Sequence, residues 1–377
     1  MTFQSLSATV LVMTAQPGFE PVFCTIVPPH VLDSLARAED AALARAARRT
    51  LERDAYERTR RRLTTVLGAP ALARPAGTPE DRPNRTIYDA GHQQDLPGRK
   101  VRSEGDEPGK DATVNRAHAG LGATFELFSK AYARNSINGE GLPLDATVHF
   151  GEDYNNAFWN GEQMVFGDGD GEIFLDFTLP VDVIGHELAH GLTQYTANLT
   201  YFGQPGALNE SMSDVFGALI KQYTLGQTAQ EADWLIGADL LAPRVTGVAL
   251  RSMKAPGTAY DDDVLGKDPQ PATMDDYVRT GRDNGGVHIN SGIPNHAFYL
   301  VATALGGHAW EKAGQIWYDV LTGGELTAQA LFADFAALTV SAARARYGEA
   351  EELQAVLKAW EQVKVRVQET PERAQAS

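Results

Sequence analysis

Apolar positions recur every three to four residues from about Val31 to Leu67, across 114–136, and from Val181 almost to the C-terminus, a period that predicts helices. An amphipathic stretch, EELQAVLKAWEQVKV at 351–365, closes the last of these regions. Between them the pattern changes. Residues 85–106, RTIYDAGHQQDLPGRKVRSEGD, carry short apolar patches and turn signals that predict strands. ATVHFGEDYNNAFWNGEQMVFGDGDGEIF, 146–174, alternates apolar and polar residues between Asn-Gly and Gly-Asp turns, as antiparallel hairpins do. GDGDG within it, with Asp168 and Asp170, predicts a tight hairpin, because the twelve-residue calcium-loop pattern is incomplete. Residues 68–84 are rich in Pro, Gly and Ala and have no period, so they read as an exposed linker. The order is a helical leading segment, a β-rich lobe with one or more helices, and a mainly helical lobe: an α+β protein. No internal repeat is present.

Composition narrows the function classes. With 43% hydrophobic and 22% charged residues and no apolar run approaching eighteen, the chain predicts no membrane span. A net charge of −16 argues against nucleic acid as a partner. The charge is uneven: residues 45–63 hold eight arginines against three acids, +5, which leaves −16 − 5 = −21 on the remainder. Such a basic helix can dock on the acidic body or present a solvated face. Cys24 is the only cysteine, which excludes an intramolecular disulfide and a multi-cysteine metal site. The N-terminal MTFQSLSATVLVMTAQPG lacks the basic residues of a secretory signal, and Met13 is an alternative start. Location therefore stays open between export without a clear signal peptide and a cytoplasmic precursor.

The chemistry concentrates in VIGHELAHGLTQYTANLTYFGQPGALNESMSDVFG. His186 and His190 are four residues apart on a predicted helix, so their imidazoles share a face and can share a metal. Glu187, about 100° around the helix, falls beside a metal-bound water, where a general base belongs. A tetrahedral zinc that keeps one position for water needs a third protein ligand. Glu210 supplies it from a second helix folded back after the YFGQPG turn, with Asn209 adjacent. Asp214, on the same face as Glu210, can accept the free ring N–H of a ligating histidine. Burying so many polar groups costs several kcal/mol unless a metal compensates them together.

With NNAFWNG, GHELAHGLTQYTANL, GALNESMSDVFG, LRSM and DNGGVHINSGIPNHAFYL in order from about Arg85 to Val367, the sequence resembles the thermolysin family of zinc metallopeptidases. The resemblance implies a two-lobed zincin fold with the active-site cleft between the lobes. Its boundaries would be 1–84 for a prosegment and linker, 85–190 for a β-rich lobe ending in the zinc helix, and 191–377 for a helical lobe. VPPHVL at 27–32 resembles the protealysin-like branch, whose short prosegment is removed on maturation; an extended turn before a helix is the plainer reading of Pro28-Pro29.

The resemblance implies zinc ligands His186, His190 and Glu210, base Glu187, and oxyanion donors Tyr201 and His288, the histidine kept protonated by Asp283. Asn156, the backbone of Ala157 and Arg251 would hold the substrate main chain. Phe174, Phe177, Val183, Ile236 and Leu250 would line an apolar pocket. Members with a double calcium site use carboxylates where this chain has Lys221 and Ala238, so that site, near Asp182 and Asp233, is expected to be lost or reduced. The acids of 260–277, a loop that looks expanded, are either solvated or bind an ion.

The function expected is a monomeric zinc endopeptidase acting on proteins or peptides, with preference for a bulky hydrophobic residue after the cleaved bond. Its own prosegment would be a partner in cis. The rival is a non-catalytic interaction protein with a structural zinc, which has no need of Glu187. Cys24 reads as an ordinary apolar or surface cysteine, with zinc ligation in the precursor as the lesser reading.

Overall fold

The computed structural model describes residues 24–66 and 82–367. The N-terminal stretch with Met13, and all but 82–84 of the expected linker, lie outside these residues. The chain opens with strand β1 (Cys24–Thr25), helix α1 (Pro29–Leu35) and helix α2 (Ala41–Val66). One helix was expected from Val31 to Leu67. It is interrupted because the Asp40 carboxylate accepts from the N–H groups of Ala42 and Leu43, which starts a new helix. Pro28 is extended (φ −63°, ψ 146°) and Pro29 opens α1, where its missing N–H costs nothing.

The β-rich lobe comprises β2 (Arg85–Asp89), β3 (Arg99–Ser103), α3 (Ala112–Tyr132), β4 (Leu144–Val148), β5 (Ala157–Trp159) and β6 (Met164–Phe166). Asp111 caps α3 through the N–H groups of Thr113 and Val114. The sheet order is β1-β5-β6-β4-β2-β3. The expected hairpin is β5–β6, turning at Asn160-Gly161, but β4 runs parallel to both β6 and β2, so the sheet is mixed. GDGDG is not a hairpin. It forms a loop in which Asp170 accepts from the N–H groups of Glu172, Ile173 and Phe174.

Helix α4 (Val181–Gln194) leads into α5 (Gly203–Leu225). Residues 226–282 depart from the predicted helical period. They hold only two-residue ladders, β7 (Leu235–Ile236) with β8 (Arg251–Ser252) and β9 (Asp261–Asp262) with β10 (Gly266–Lys267), and short 3-10 turns. Their acids shape turns: Asp262 accepts from the N–H of Thr246, Val264 and Leu265, and Asp268 from Gly257, Ala259 and Gln270. Helices α6 (Asp283–Asn290), α7 (Gly292–Leu305), α8 (Ala313–Thr322), α9 (Phe332–Tyr347) and α10 (Glu351–Gln362) complete the helical lobe. No helix among the described residues is long and apolar enough to cross a membrane.

The arginine-rich helix docks, and the apolar side chains of the segment leading into it contribute more than its charge. Arg49 reaches Asp153 and Glu152, but all three side chains are about half exposed or more, so these pairs contribute at most about 1 kcal/mol each. By contrast Ile26, Val27, Val31, Leu32, Leu35 and Leu43 are buried in the main core, on the order of 10 kcal/mol at about 1.5–3 kcal/mol per large apolar side chain. Strand β1 meanwhile lengthens the sheet at its β5 edge, pairing Cys24 with Trp159 and Thr25 with Phe158.

Candidate metal centre and active site

Helices α4 and α5 approach so closely because each presents glycine at the crossing. A Cβ on Gly217 would lie 2.6 Å from Asp182 O and 3.2 Å from His186 N; one on Gly185 would lie 2.6 Å from Ile220 Cδ1. That approach brings Glu210 to the two histidines. His186 Nε2 and His190 Nε2 face each other at 3.0 Å, and each is 3.5 Å from a Glu210 carboxylate oxygen. All three side chains are buried.

The outer ring nitrogens are fixed from α5. His186 Nδ1 lies 2.7 Å from Asp214 Oδ1; His190 Nδ1 lies 2.8 Å from Asn209 Oδ1 and 3.0 Å from Ser213 Oγ. With Nδ1–H donating to these oxygens, each Nε2 presents a lone pair to the same point. Burial pushes the His190 imidazole down to about 3, so the ring is neutral. Burial works to raise Glu210, but His288, His190 and His186 hold it below the usual carboxylate value. Glu210 Oε2 is buried with no hydrogen-bond partner among the described residues. Two imidazole Nε2 atoms and a carboxylate converging on one point fit a divalent metal that takes nitrogen and oxygen ligands.

Glu187 also comes within 4.8 Å of both histidines. Its Oε2, however, accepts from Trp159 N–H on β5 at 3.0 Å, while Oε1 has no partner among the described residues. Burial first, and the Glu210 charge next, push this carboxyl well above its ordinary range.

The α6 segment supplies a donor. Asp283 and His288 are five residues apart, and Gly285 and Gly286 at φ 83° and 81° fold the chain back between them. Asp283 Oδ1 then lies 2.5 Å from His288 Nδ1. Burial opposes protonation of His288, but the Glu210 and Asp283 charges raise it to about 9, so the ring is an imidazolium at neutral pH. Tyr201 Oη donates to Glu210 and lies 3.3 Å from His288 Nε2.

Strand β1 lies across this constellation. Thr25 O is 3.1 Å from His288 Nε2, Ile26 O accepts from Arg251 Nη1 at 3.1 Å, and Ile26 N donates to Ala157 O at 3.2 Å. Val27 N donates to Asn156 Oδ1 at 2.9 Å. Arg251 is itself buried and bidentate to Asp214, with both contacts 2.8 Å. Over residues 78–194 the chain matches the family model of the thermolysin metallopeptidase catalytic domain, and over 197–365 that of its alpha-helical domain.

This chain belongs to the thermolysin family of metallopeptidases.

Among thermolysin-family relatives, an extracellular metalloprotease of Pectobacterium carotovorum subsp. carotovorum is 50% identical over 346 residues, 92% of this chain and 97% of that one. A thermolysin of Alicyclobacillus acidocaldarius subsp. acidocaldarius is 39% identical over 289 residues, 74% of this chain and 50% of that one. The solved precursor of protealysin from Serratia proteamaculans matches with a TM-score of 0.82 and 51% identity, covering 91% of this chain and 100% of that one. The chain is thus a zinc-dependent metalloendopeptidase of the thermolysin fold, with a β-rich N-terminal region and a helical C-terminal region.

The structure brings His186, His190, Glu210, Tyr201, His288, Asp283, Asp214, Asn209 and Arg251 into one network, with Glu187 beside the two histidines and Asn156 and Ala157 joined to it through Ile26 and Val27. Phe174, Phe177, Val183, Ile236 and Leu250 are buried in the same core cluster as Ile26. Sequence reasoning missed Ser213 on His190, and Asn295, which donates to Asp214 at 2.8 Å. It also missed Thr50 and Asp54 on α2, which bind Asn155 N–H and the Asn156 amide. A signal existed: Thr50, Asp54 and Glu57 follow helical spacing and break the arginine run.

Proposed function

We propose that residues 1–84 form a removable prosegment and linker, 85–190 and 191–377 the two catalytic lobes, and that the processed chain cleaves peptides before a bulky apolar residue. The zinc ligands in this reading are His186, His190 and Glu210. When bound, zinc supplies a Lewis acid and a water whose pKa falls to about 7. Glu187 would take a proton from the attacking water and return it to the leaving amine. Tyr201 and His288 donate to the oxyanion, the latter kept charged by Asp283. Asn156, Ala157 O and Arg251 hold the substrate main chain as an added strand.

The observation that carries the reading is the convergence of two Nε2 atoms and the Glu210 carboxylate beside Glu187. The apolar preference is supported by β1. If His288 and Arg251 hold a substrate as they hold Thr25 O and Ile26 O, Ile26 stands where the residue after the scissile bond would, and its side chain is fully buried. Phe174, Phe177, Val183, Ile236 and Leu250 would line that pocket. A hydrophobic pocket discriminates by only about 1–3 kcal/mol per methylene, so specificity should be broad. Incubating the full chain should produce cleavage within 64–85, and peptide-library products should begin with Leu, Ile, Phe or Val. Fully metallated protein that stays silent after an added protease has cut residues 64–85 would favour the interaction-protein reading.

Calcium is a separate matter. Lys221 Nζ lies 2.8 Å from Asp233 and 3.2 Å from the buried Asp182, so an ammonium neutralises the carboxylates that a double calcium site would need. Millimolar calcium should leave the Tm unchanged. Lys221→Met should cost about 3 kcal/mol by stranding Asp182, read from denaturant unfolding. A Tm that rises with calcium in the unaltered chain would refute this reading.

Prosegment docking should be nearly flat with pH because two buried groups oppose each other. His30 faces Tyr260, Asp283, His288, Arg251 and Asp33; burial lowers it from 6.5 to about 4, so its contribution is complete above 6.5 and lost as pH falls. Asp54 faces Tyr154, Asn156, Arg58 and Glu57; burial raises it from 3.8 to about 6, so its contribution is complete below 3.8 and lost as pH rises. Hydrogen exchange of α1 and α2 should therefore slow with rising pH, relative to intrinsic rates, in Asp54→Asn and quicken in His30→Gln. Equal slopes in the two variants would contradict the assignment.

A further inference from the structure

In the reading above, the bond between Thr25 and Ile26 takes the place of a substrate's scissile bond, which raises the question of what keeps a competent site from cutting it. The residue just before it is the chain's only cysteine. Cys24 is 2% exposed, on β1 opposite Trp159, the residue whose N–H holds Glu187. Cys24 Sγ, a His190 ring nitrogen and a Glu210 carboxylate oxygen all lie within 4.8 Å of one another. A second observation points to the same spot: the Glu210 carboxylate that completes this group keeps its Oε2 buried without a hydrogen-bond partner among the described residues.

We propose that in the uncleaved chain the Cys24 sulfur is a fourth protein ligand of the zinc held by His186, His190 and Glu210, and excludes the water that Glu187 would activate. This rests on the zinc-peptidase reading above and adds the regulation of that site. Sulfur is a preferred ligand of zinc, and a fourth protein ligand converts an open catalytic site into a closed one. Hydrolysis at Thr25–Ile26 needs hydroxide added to the Thr25 carbonyl carbon and a proton delivered to the Ile26 nitrogen as the C–N bond breaks. With sulfur in place of water neither arrives, so the inhibitory strand survives on the machinery it blocks. Release of the prosegment withdraws the sulfur with the strand.

The test uses the full chain carrying Glu187→Gln, which keeps it uncleaved, with cobalt(II) in place of zinc. One cobalt per chain with a near-ultraviolet sulfur-to-cobalt charge-transfer band is expected; Cys24→Ser in the same background should bind one cobalt and lose the band. One cobalt with no band, or a band that survives Cys24→Ser, overturns the proposal while leaving the zinc centre standing. Failure to bind cobalt at all overturns the metal centre itself. Zinc-edge X-ray absorption of the unsubstituted-cysteine protein, which depends on no cysteine variant, should include one sulfur at about 2.3 Å; nitrogen and oxygen alone would contradict it. With Glu187 intact, Cys24→Ala should release a chain beginning at Ile26, detected by mass spectrometry. Its absence would mean that the sulfur is not what protects the bond.

Discussion

Glu187→Gln will bind zinc in the same ratio as the unaltered chain and hydrolyse casein about 10²–10⁴-fold more slowly, the range for removing a general base. The structure separates the two properties. Ligand convergence comes from His186, His190 and Glu210, oriented by Asp214, Asn209 and Ser213, none of which contacts the Glu187 carboxylate through a hydrogen bond. Glu187 is instead fixed by Trp159 N–H, and an amide in its place can still accept that bond but cannot take a proton. Zinc content by mass spectrometry and initial casein rates check the pair. Loss of metal together with activity would make Glu187 a ligand, and activity retained within a few-fold would remove it from the chemistry.

Asp214→Ala should show the second large effect, on stability and metal affinity at once. Asp214 is fully buried and accepts from Arg251 Nε and Nη2, from Asn295 and from His186. Burial alone would raise its pKa; Arg251 and His186 hold it well below the usual carboxylate range, so it is ionised throughout the working pH range. Deleting it leaves the Arg251 guanidinium buried without a counter-charge, which costs about 3–5 kcal/mol. It also frees the His186 ring, which should weaken zinc by about 10–100-fold. Denaturant unfolding with zinc saturating separates the first effect from the second, read by chelator competition. Changes below about 0.5 kcal/mol and threefold would mean the ion pair is not structural.

Much of this site was legible in the sequence because helix geometry links spacing to direction. His186, His190, Glu210 and Asp214 could be placed on facing helical stripes from their spacing alone, with Asp214 in reach of a histidine ring, whereas Ser213 and Asn295 could not. What spacing does not encode is the approach of two helices, set here by Gly185 and Gly217, or a contact such as Asn295 to Asp214 across 81 residues. The same holds for α2. Its arginines dominate a local reading, whereas docking depends on the opposite face, where Thr50 and Asp54 meet a lobe a hundred residues away. The region 226–282 misled for another reason: its apolar spacing resembles helix, but Asp262 and Asp268 draw backbone N–H groups into turns.

The most direct test of the central claim is an anomalous difference map, measured on either side of the zinc absorption edge, from crystals of the processed protein. The account predicts one zinc peak per chain at about 2.0–2.2 Å from His186 Nε2, His190 Nε2 and a Glu210 oxygen, with a water as its remaining ligand. A peak elsewhere, or a fourth protein side chain bound to the zinc after the prosegment has gone, would contradict it.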